Sequence, residues 1–185
     1  MAGRKRIQRA RTLRSKTVFK GRVFQVRTDT VIEPGGVRAT RDLVVHPGSV
    51  VVLPERRDGR ILLVRQYRHS VGNFLWELVA GRKEPGESPV RAARRELAEE
   101  TGYAARRLRK LLDVFPTPGF ASERMWVYLA EGLTAGRATP EDDERIEPRW
   151  FTLAQADTMI RTGRLRDAKS VAGILYYLRY IRRAR

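Results

Sequence analysis

The chain has 185 residues, no cysteine, two histidines and a formal net charge of +17. That length allows one sizeable core with an accessory element, and the missing cysteines exclude disulfides, thiol catalysis and thiolate metal sites. With only His46 and His69 to offer imidazole, any metal must sit on oxygen ligands.

Before Asp29 there are ten lysine or arginine residues and no acid. Residues 1–16 therefore read as a basic, disordered arm, because like charges repel and little there can be buried. Such an arm could neutralise the phosphates of a nucleic acid. Arginine-rich composition continues through the whole chain, however, so that partner is not favoured. No apolar run is long enough to span a bilayer and no apolar segment follows the N-terminal charges, so a cytoplasmic protein with no membrane insertion is expected.

From Thr17 to Val31 apolar and polar residues alternate with the period of a single half-buried strand. Pro34–Gly36 forms a turn and VRATRDLVVH returns, giving an antiparallel hairpin over 17–47. SVVVLPE and RILLVRQYR make a second hairpin around RRDG, where Gly59 supplies a positive φ. WELVAG reads as one short apolar strand running into Gly81. After a loop containing Pro85 and Gly86 comes a helix with Ser88 as N-cap, Pro89 at its first position and Gly102 beyond its last turn. LRKLLDV, ERMWVYLAE and RIEPRWFT are further strands, and LAQADTMIRTG is a helix capped by Thr152. The final helix, capped by Asp167, places Val171, Ile174, Leu175, Leu178 and Ile181 on one stripe. This order predicts an α+β protein in which a mixed β-sheet is packed between α-helices over 48–185, preceded by the N-terminal antiparallel β-hairpin.

Five of the twenty-one acidic residues fall between Gly81 and Tyr103. On a helix Glu96, Glu99 and Glu100 crowd one side within a single turn. Arg91, Arg94 and Arg95 could lace them into a solvated ion-pair face. The alternative is a cation site, since hard divalent ions take carboxylate oxygens and bridge to substrate phosphates.

Gly81, five residues, Glu87, seven residues and then REL-AEE-TGY from Arg95 to Tyr103 resemble the Nudix box, departing only at Tyr103, where an aliphatic residue is usual. HPGSVVVLP, LLVRQYR, WELVAG and FPTPGFASER, with Pro118 about sixteen residues beyond Gly102, resemble the ADP-ribose pyrophosphatase branch of that family. Val79 stands where many relatives have proline. The resemblance covers roughly residues 17–182. It implies the Nudix fold, and hydrolysis of ADP-ribose to AMP and ribose 5-phosphate by metal-activated water. GDP-mannose or another nucleotide sugar is the alternative substrate, and a catalytically inactive RNA-binding relative is the remote one.

The same resemblance implies roles for particular residues. Glu96, Glu99, Glu100 and the backbone carbonyl of Ala80 correspond to ligands of Mg²⁺, or of Mn²⁺ in its place, which makes Glu99 and Glu100 part of the catalytic apparatus. Glu87 and Arg95 correspond to an ion pair pinning loop to helix, with Gly81 and Gly102 structural. The general base maps to Glu144 in EDDERIE, with Glu141, Asp142 and Asp143 as neighbours that could serve. Arg68 resembles a phosphate-gripping arginine and Glu123 a ribose-contacting acid. Arg41 and Glu77 are further pocket candidates; Arg41 could instead be a strand-surface charge, and Glu77 a partner of Arg68 within the sheet. Tyr67, Trp76, Trp126 and Trp150 are assigned to packing. A homodimer sharing the N-terminal hairpin is also implied.

Overall fold

The computed structural model describes residues 9–139 and 145–182. The chain divides into two units, residues 1–47 with 117–123, and residues 48–116 with 124–185.

In the first unit β1 (Arg11–Lys20), β2 (Gln25–Ile32) and β3 (Arg38–Val45) form an antiparallel sheet with β2 central. The single strand expected from Thr17 to Val31 is therefore two. Gly21 N–H donates to the Phe24 carbonyl at 2.9 Å and turns the chain, a break that the surrounding alternation hides. Residues 11–16, expected to be a disordered arm, are strand. Their charges stay exposed while their backbone joins the ladder to β2, and Ser15 Oγ donates to Asp29 Oδ1 at 2.6 Å. The turn at Gly35 and Gly36, with φ of 97° and 90°, closes β2 onto β3. Residues 117–123 run beside β3, where Val44 N–H donates to the Phe120 carbonyl at 2.8 Å and Ser122 N–H donates to the Val44 carbonyl at 2.9 Å.

The second unit contains β4 (Ser49–Pro54), β5 (Ile61–Arg68), β6 (Asn73–Glu77), β7 (Val79–Arg82), α1 (Pro89–Thr101), β8 (Tyr103–Val114), β9 (Met125–Ala135), β10 (Ile146–Phe151), α2 (Leu153–Arg161) and α3 (Ala168–Tyr176). A four-stranded sheet has the order β7-β4-β9-β8, mixed because β4 and β9 are parallel; β10-β5-β6 form a separate antiparallel sheet. Pro148 lies in the edge strand β10, where its missing N–H is tolerated.

The continuous apolar run of β4 reflects burial on both faces. Val51 and Leu53 join a core with Leu153, Met159, Ile174 and Tyr177 from the C-terminal helical segment, while Val50 and Val52 join a second core with Ala92, Ala93 and Leu97 of α1. Helices thus cover both sides of the mixed sheet, and burying Leu97 alone is worth about 2 kcal/mol. On the final helix Leu175 is exposed, contrary to the expected stripe, and Tyr177 is fully buried. The helix loosens to a π-type turn over Tyr177–Ile181, and the Tyr177 hydroxyl donates to Glu55. Among the described residues no helix is long and apolar enough to cross a membrane.

WELVAG is not one strand. It breaks at Leu78, with Trp76 and Glu77 in β6 of one sheet and Val79–Arg82 in β7 of the other. The cause is distant in sequence: Leu78 N–H donates to Ser170 Oγ on α3 at 2.7 Å instead of to a neighbouring strand.

Candidate active site

The second unit's site is built where β7 passes α1. Ser88 accepts from Arg91 N–H and Pro89 opens the helix; Gly102, at φ 73°, ends it. These caps hold α1 at a fixed register on the sheet, so that Glu96 and Glu100, one turn apart, are presented from one rigid element. Glu96 meets the sheet at Gly81. A Cβ placed on Gly81 would lie 1.9 Å from Glu96 Cδ, so the carboxylate occupies space that only glycine leaves open.

Arg95 is the hub of the acidic cluster. Its Nε and Nη2 donate to the two oxygens of Glu87 at 3.2 and 3.1 Å, and Nη2 also donates to the Arg82 carbonyl at 2.9 Å, which joins the loop to the helix. Its Nη1 donates to Glu96 at 2.7 Å and to Glu99 at 2.9 Å. Burial works against the arginine's charge. The hydrogen bond to Glu87, the charge of Glu96 and the hydrogen bonds to Glu99 and Glu96 more than offset that, so its pKa is raised. The hydrogen bond from Arg95 likewise holds Glu87 below the ordinary carboxylate range. Glu100 is 5% exposed, and its charge helps to raise the pKa of Arg68 in a second cluster, behind the larger effect of Glu77.

That second cluster is buried. Arg68 Nε and Nη2 donate to Glu77 Oε1 and Oε2, each at 2.7 Å, and Lys169 Nζ also donates to Oε2. Glu77 is 1% exposed with both oxygens engaged, so it is the partner of Arg68 within the sheet, the second of the two roles considered for it. Burial alone would raise the Glu77 pKa, but the Arg68 hydrogen bond and the Lys169 and Arg68 charges leave it lowered. Lys169 is held from behind by Asp167 Oδ1 at 2.9 Å, and Asp167 Oδ2 caps α3 by accepting from Ser170 N–H and Oγ–H. Asp167 and Lys169 also border a cleft of about 300 Å³ with Val114, Phe115, Pro116 and Met125. A larger cleft, about 950 Å³, is lined by Arg56, Arg57, Arg106 and Glu131 and includes none of the residues of either cluster.

The structure therefore brings Ala80, Gly81, Glu87, Arg95, Glu96, Glu99 and Glu100 together on β7, α1 and the loop between them, with Arg68 and Glu77 on the adjoining hairpin. Arg41 and Glu123 belong to the first unit. Arg41 is an exposed strand charge paired with Glu33 at 2.9 Å, and Glu123 lies 3.6 Å from His46 Nδ1. Glu144 and its acidic neighbours lie outside the described residues. The segment leading to them is tied down: Thr139 N–H donates to the Glu99 carbonyl at 2.9 Å, and Gly136 N–H to the Gly102 carbonyl at 2.7 Å. Lys169 and Ser170 were not found as site residues in the sequence, because a lone lysine and serine at a helix start carry no local signal of a partner 92 residues away.

Do the residues present fit a divalent cation? Among the described residues no three acidic or histidine side chains form a ready-made cage, since Arg95 holds Glu96 and Glu99. The donors are nonetheless all oxygens. Glu87, Glu96 and Glu99 share a single guanidinium, with a further carboxylate, Glu100, buried on the same helix. Carboxylates gathered on one helix and its loop, and the gap at Gly81 kept for Glu96, suit a hard cation.

Comparison with known proteins agrees with this geometry. The NUDIX domain model matches residues 45–173. An ADP-ribose pyrophosphatase of Bacillus subtilis is 36% identical over 168 residues, 90% of this chain and 91% of the relative. One from Mycobacterium tuberculosis is 38% identical, covering 89% of this chain and 81% of the relative. A crystal structure of an ADP compounds hydrolase superposes with a TM-score of 0.84, covering 97% of this chain and 98% of that one at 24% identity, which establishes likeness of fold.

Proposed function

We propose, from the premise that this chain belongs to the NUDIX family, that it hydrolyses the diphosphate of ADP-ribose to AMP and ribose 5-phosphate. The observation that carries this reading is the acidic cluster of α1 seated against Gly81 and organised by Arg95. Similarity to two ADP-ribose pyrophosphatases over about nine-tenths of the chain supports the substrate.

Glu96, Glu99, Glu100 and the Ala80 carbonyl would hold Mg²⁺, or Mn²⁺. Bound there, the ion would neutralise the diphosphate and make water acidic enough to react near neutral pH. The chain's own groups supply the rest. Arg68, its plane set by Glu77, grips a phosphate oxygen. Water adds to one phosphorus, the bridging P–O bond breaks, and the proton lost by the water passes to a carboxylate, for which Glu144 is the candidate. Arg95 and Glu87 keep loop and helix registered while charge builds up.

A panel of nucleoside diphosphate sugars assayed with Mg²⁺, Mn²⁺ or EDTA tests the reading. ADP-ribose should have the highest kcat/KM, with activity abolished by EDTA. A clear preference for GDP-mannose would overturn the substrate assignment while keeping the reaction class.

We also propose a homodimer formed through the N-terminal strands. All ten residues of the edge strand β1 are exposed in the single chain, Leu13, Val18 and Phe19 among them. Sedimentation equilibrium should give twice the chain mass. A monomer at micromolar concentration would remove this proposal.

A further inference from the structure

We infer that Lys169 is a positioning residue for phosphate binding: by holding Glu77 it fixes the Arg68 fork that grips the substrate. The inference rests on the reading of Arg68 as a phosphate ligand.

Arg68 is a long side chain with 36% of its surface exposed, and on its own it would sample many rotamers. Two parallel bonds to Glu77, from Nε and Nη2, fix both the plane and the direction of the guanidinium. They leave Nη1 uncommitted among the described residues, as a donor for a ligand oxygen. This works only if the Glu77 carboxylate is itself fixed, and a single glutamate bonded to one mobile arginine is not. Lys169 supplies the missing constraint. Its side chain is 11% exposed, and its ammonium joins Glu77 Oε2 to Asp167 Oδ1. Asp167 is locked by capping α3 through Ser170, whose Oγ also receives the Leu78 N–H where β6 gives way to β7. A continuous line of bonds thus runs from the sheet break through the start of α3 to the arginine fork.

Charge counting says what its removal does. Arg68 and Lys169 together face Glu77 and Asp167, and the Glu100 charge also acts on Arg68. Without Lys169 one guanidinium is left to meet Glu77 and Asp167, and Arg68 is drawn inward toward both. Its outward donor is then misdirected, so affinity for the diphosphate falls while the α1 cluster is untouched. A lysine with only a packing role would instead lower thermal stability and the fraction of active enzyme, with KM unchanged.

The experiment is calorimetric binding of ADP-ribose in EDTA, with steady-state kinetics in Mg²⁺ alongside, for wild type, Lys169→Met, Lys169→Arg, Arg68→Ala and the Arg68→Ala/Lys169→Met double variant. Lys169→Met should raise Kd and KM about ten- to thirtyfold with kcat within about threefold of wild type, and Lys169→Arg should recover most of the loss. In the Arg68→Ala background Lys169→Met should change Kd by less than about twofold, since it acts through Arg68. Unchanged Kd in Lys169→Met, or an equal loss in both backgrounds, would overturn the proposal. Should Lys169→Met not fold, Asp167→Asn, which keeps a capping oxygen but loosens Lys169, carries the same comparison with a smaller expected shift. Weaker binding in Arg68→Ala with normal binding in Lys169→Met rejects this proposal alone. Normal binding in Arg68→Ala rejects the phosphate assignment beneath it.

Discussion

Replacing Glu100 with glutamine lowers kcat for ADP-ribose by at least about a hundredfold and shifts Tm by no more than about 3 °C. The amide keeps the shape of the side chain in a site that is 5% exposed, so packing against the sheet survives. What disappears is one buried negative charge, one helical turn from Glu96 and felt by Arg68. Because this charge belongs to the cation-holding set, the variant should also need more Mg²⁺ for half-maximal rate. Glu144→Gln makes the contrast: a lost general base costs about 10² to 10⁴ in rate with the Mg²⁺ requirement unchanged. Steady-state rates measured across a Mg²⁺ titration separate the two. A Glu100→Gln enzyme with normal kcat would discard Glu100 as a ligand, and a normal Glu144→Gln enzyme would move the base to Glu141, Asp142 or Asp143.

Gly81→Ala is expected to lose activity by about ten- to a hundredfold with little loss of stability. The added methyl group would sit 1.9 to 2.2 Å from the Glu96 carboxylate, so one of the two must move. Gly81 is not among the positive-φ glycines, and its extended conformation suits alanine, so the backbone has no reason to yield. The carboxylate is the far end of a flexible side chain and can swing aside cheaply. Stability should therefore change by less than about 1 kcal/mol, roughly 2 to 4 °C in Tm for a chain of this size. Thermal denaturation paired with kinetics decides the matter. A large fall in Tm with normal activity would make Gly81 a packing residue and not the seat of Glu96.

The parts of this molecule that were legible in its sequence are those whose cause is local. α1 could be bounded because Ser88, Pro89 and Gly102 act within a turn of where they stand, and β4 because burial on both faces writes an unbroken apolar run. The box carboxylates could be grouped because helix geometry alone puts Glu96 and Glu100 on one side. What was misread depends on contacts across the chain. The break at Leu78 is made by Ser170, which no feature of WELVAG announces. The first part of β1, residues 11–16, looked like a repelling arm because its side chains are mostly basic, yet its backbone bonds to β2 do not depend on them. For Glu77 the pairing with Arg68 could be named from the sequence, but the second cation on it, Lys169 at the start of α3, could not.

The hydrogen bond from Thr139 to the Glu99 carbonyl has a polymer consequence. It moors one end of the acidic run to the helix that carries the box. With Gly136 N–H on the Gly102 carbonyl as a second mooring, the backbone that leaves β9 is fixed against the end of α1 at two points, and the entropy of ordering residues 136–139 is lost in folding and not again during turnover.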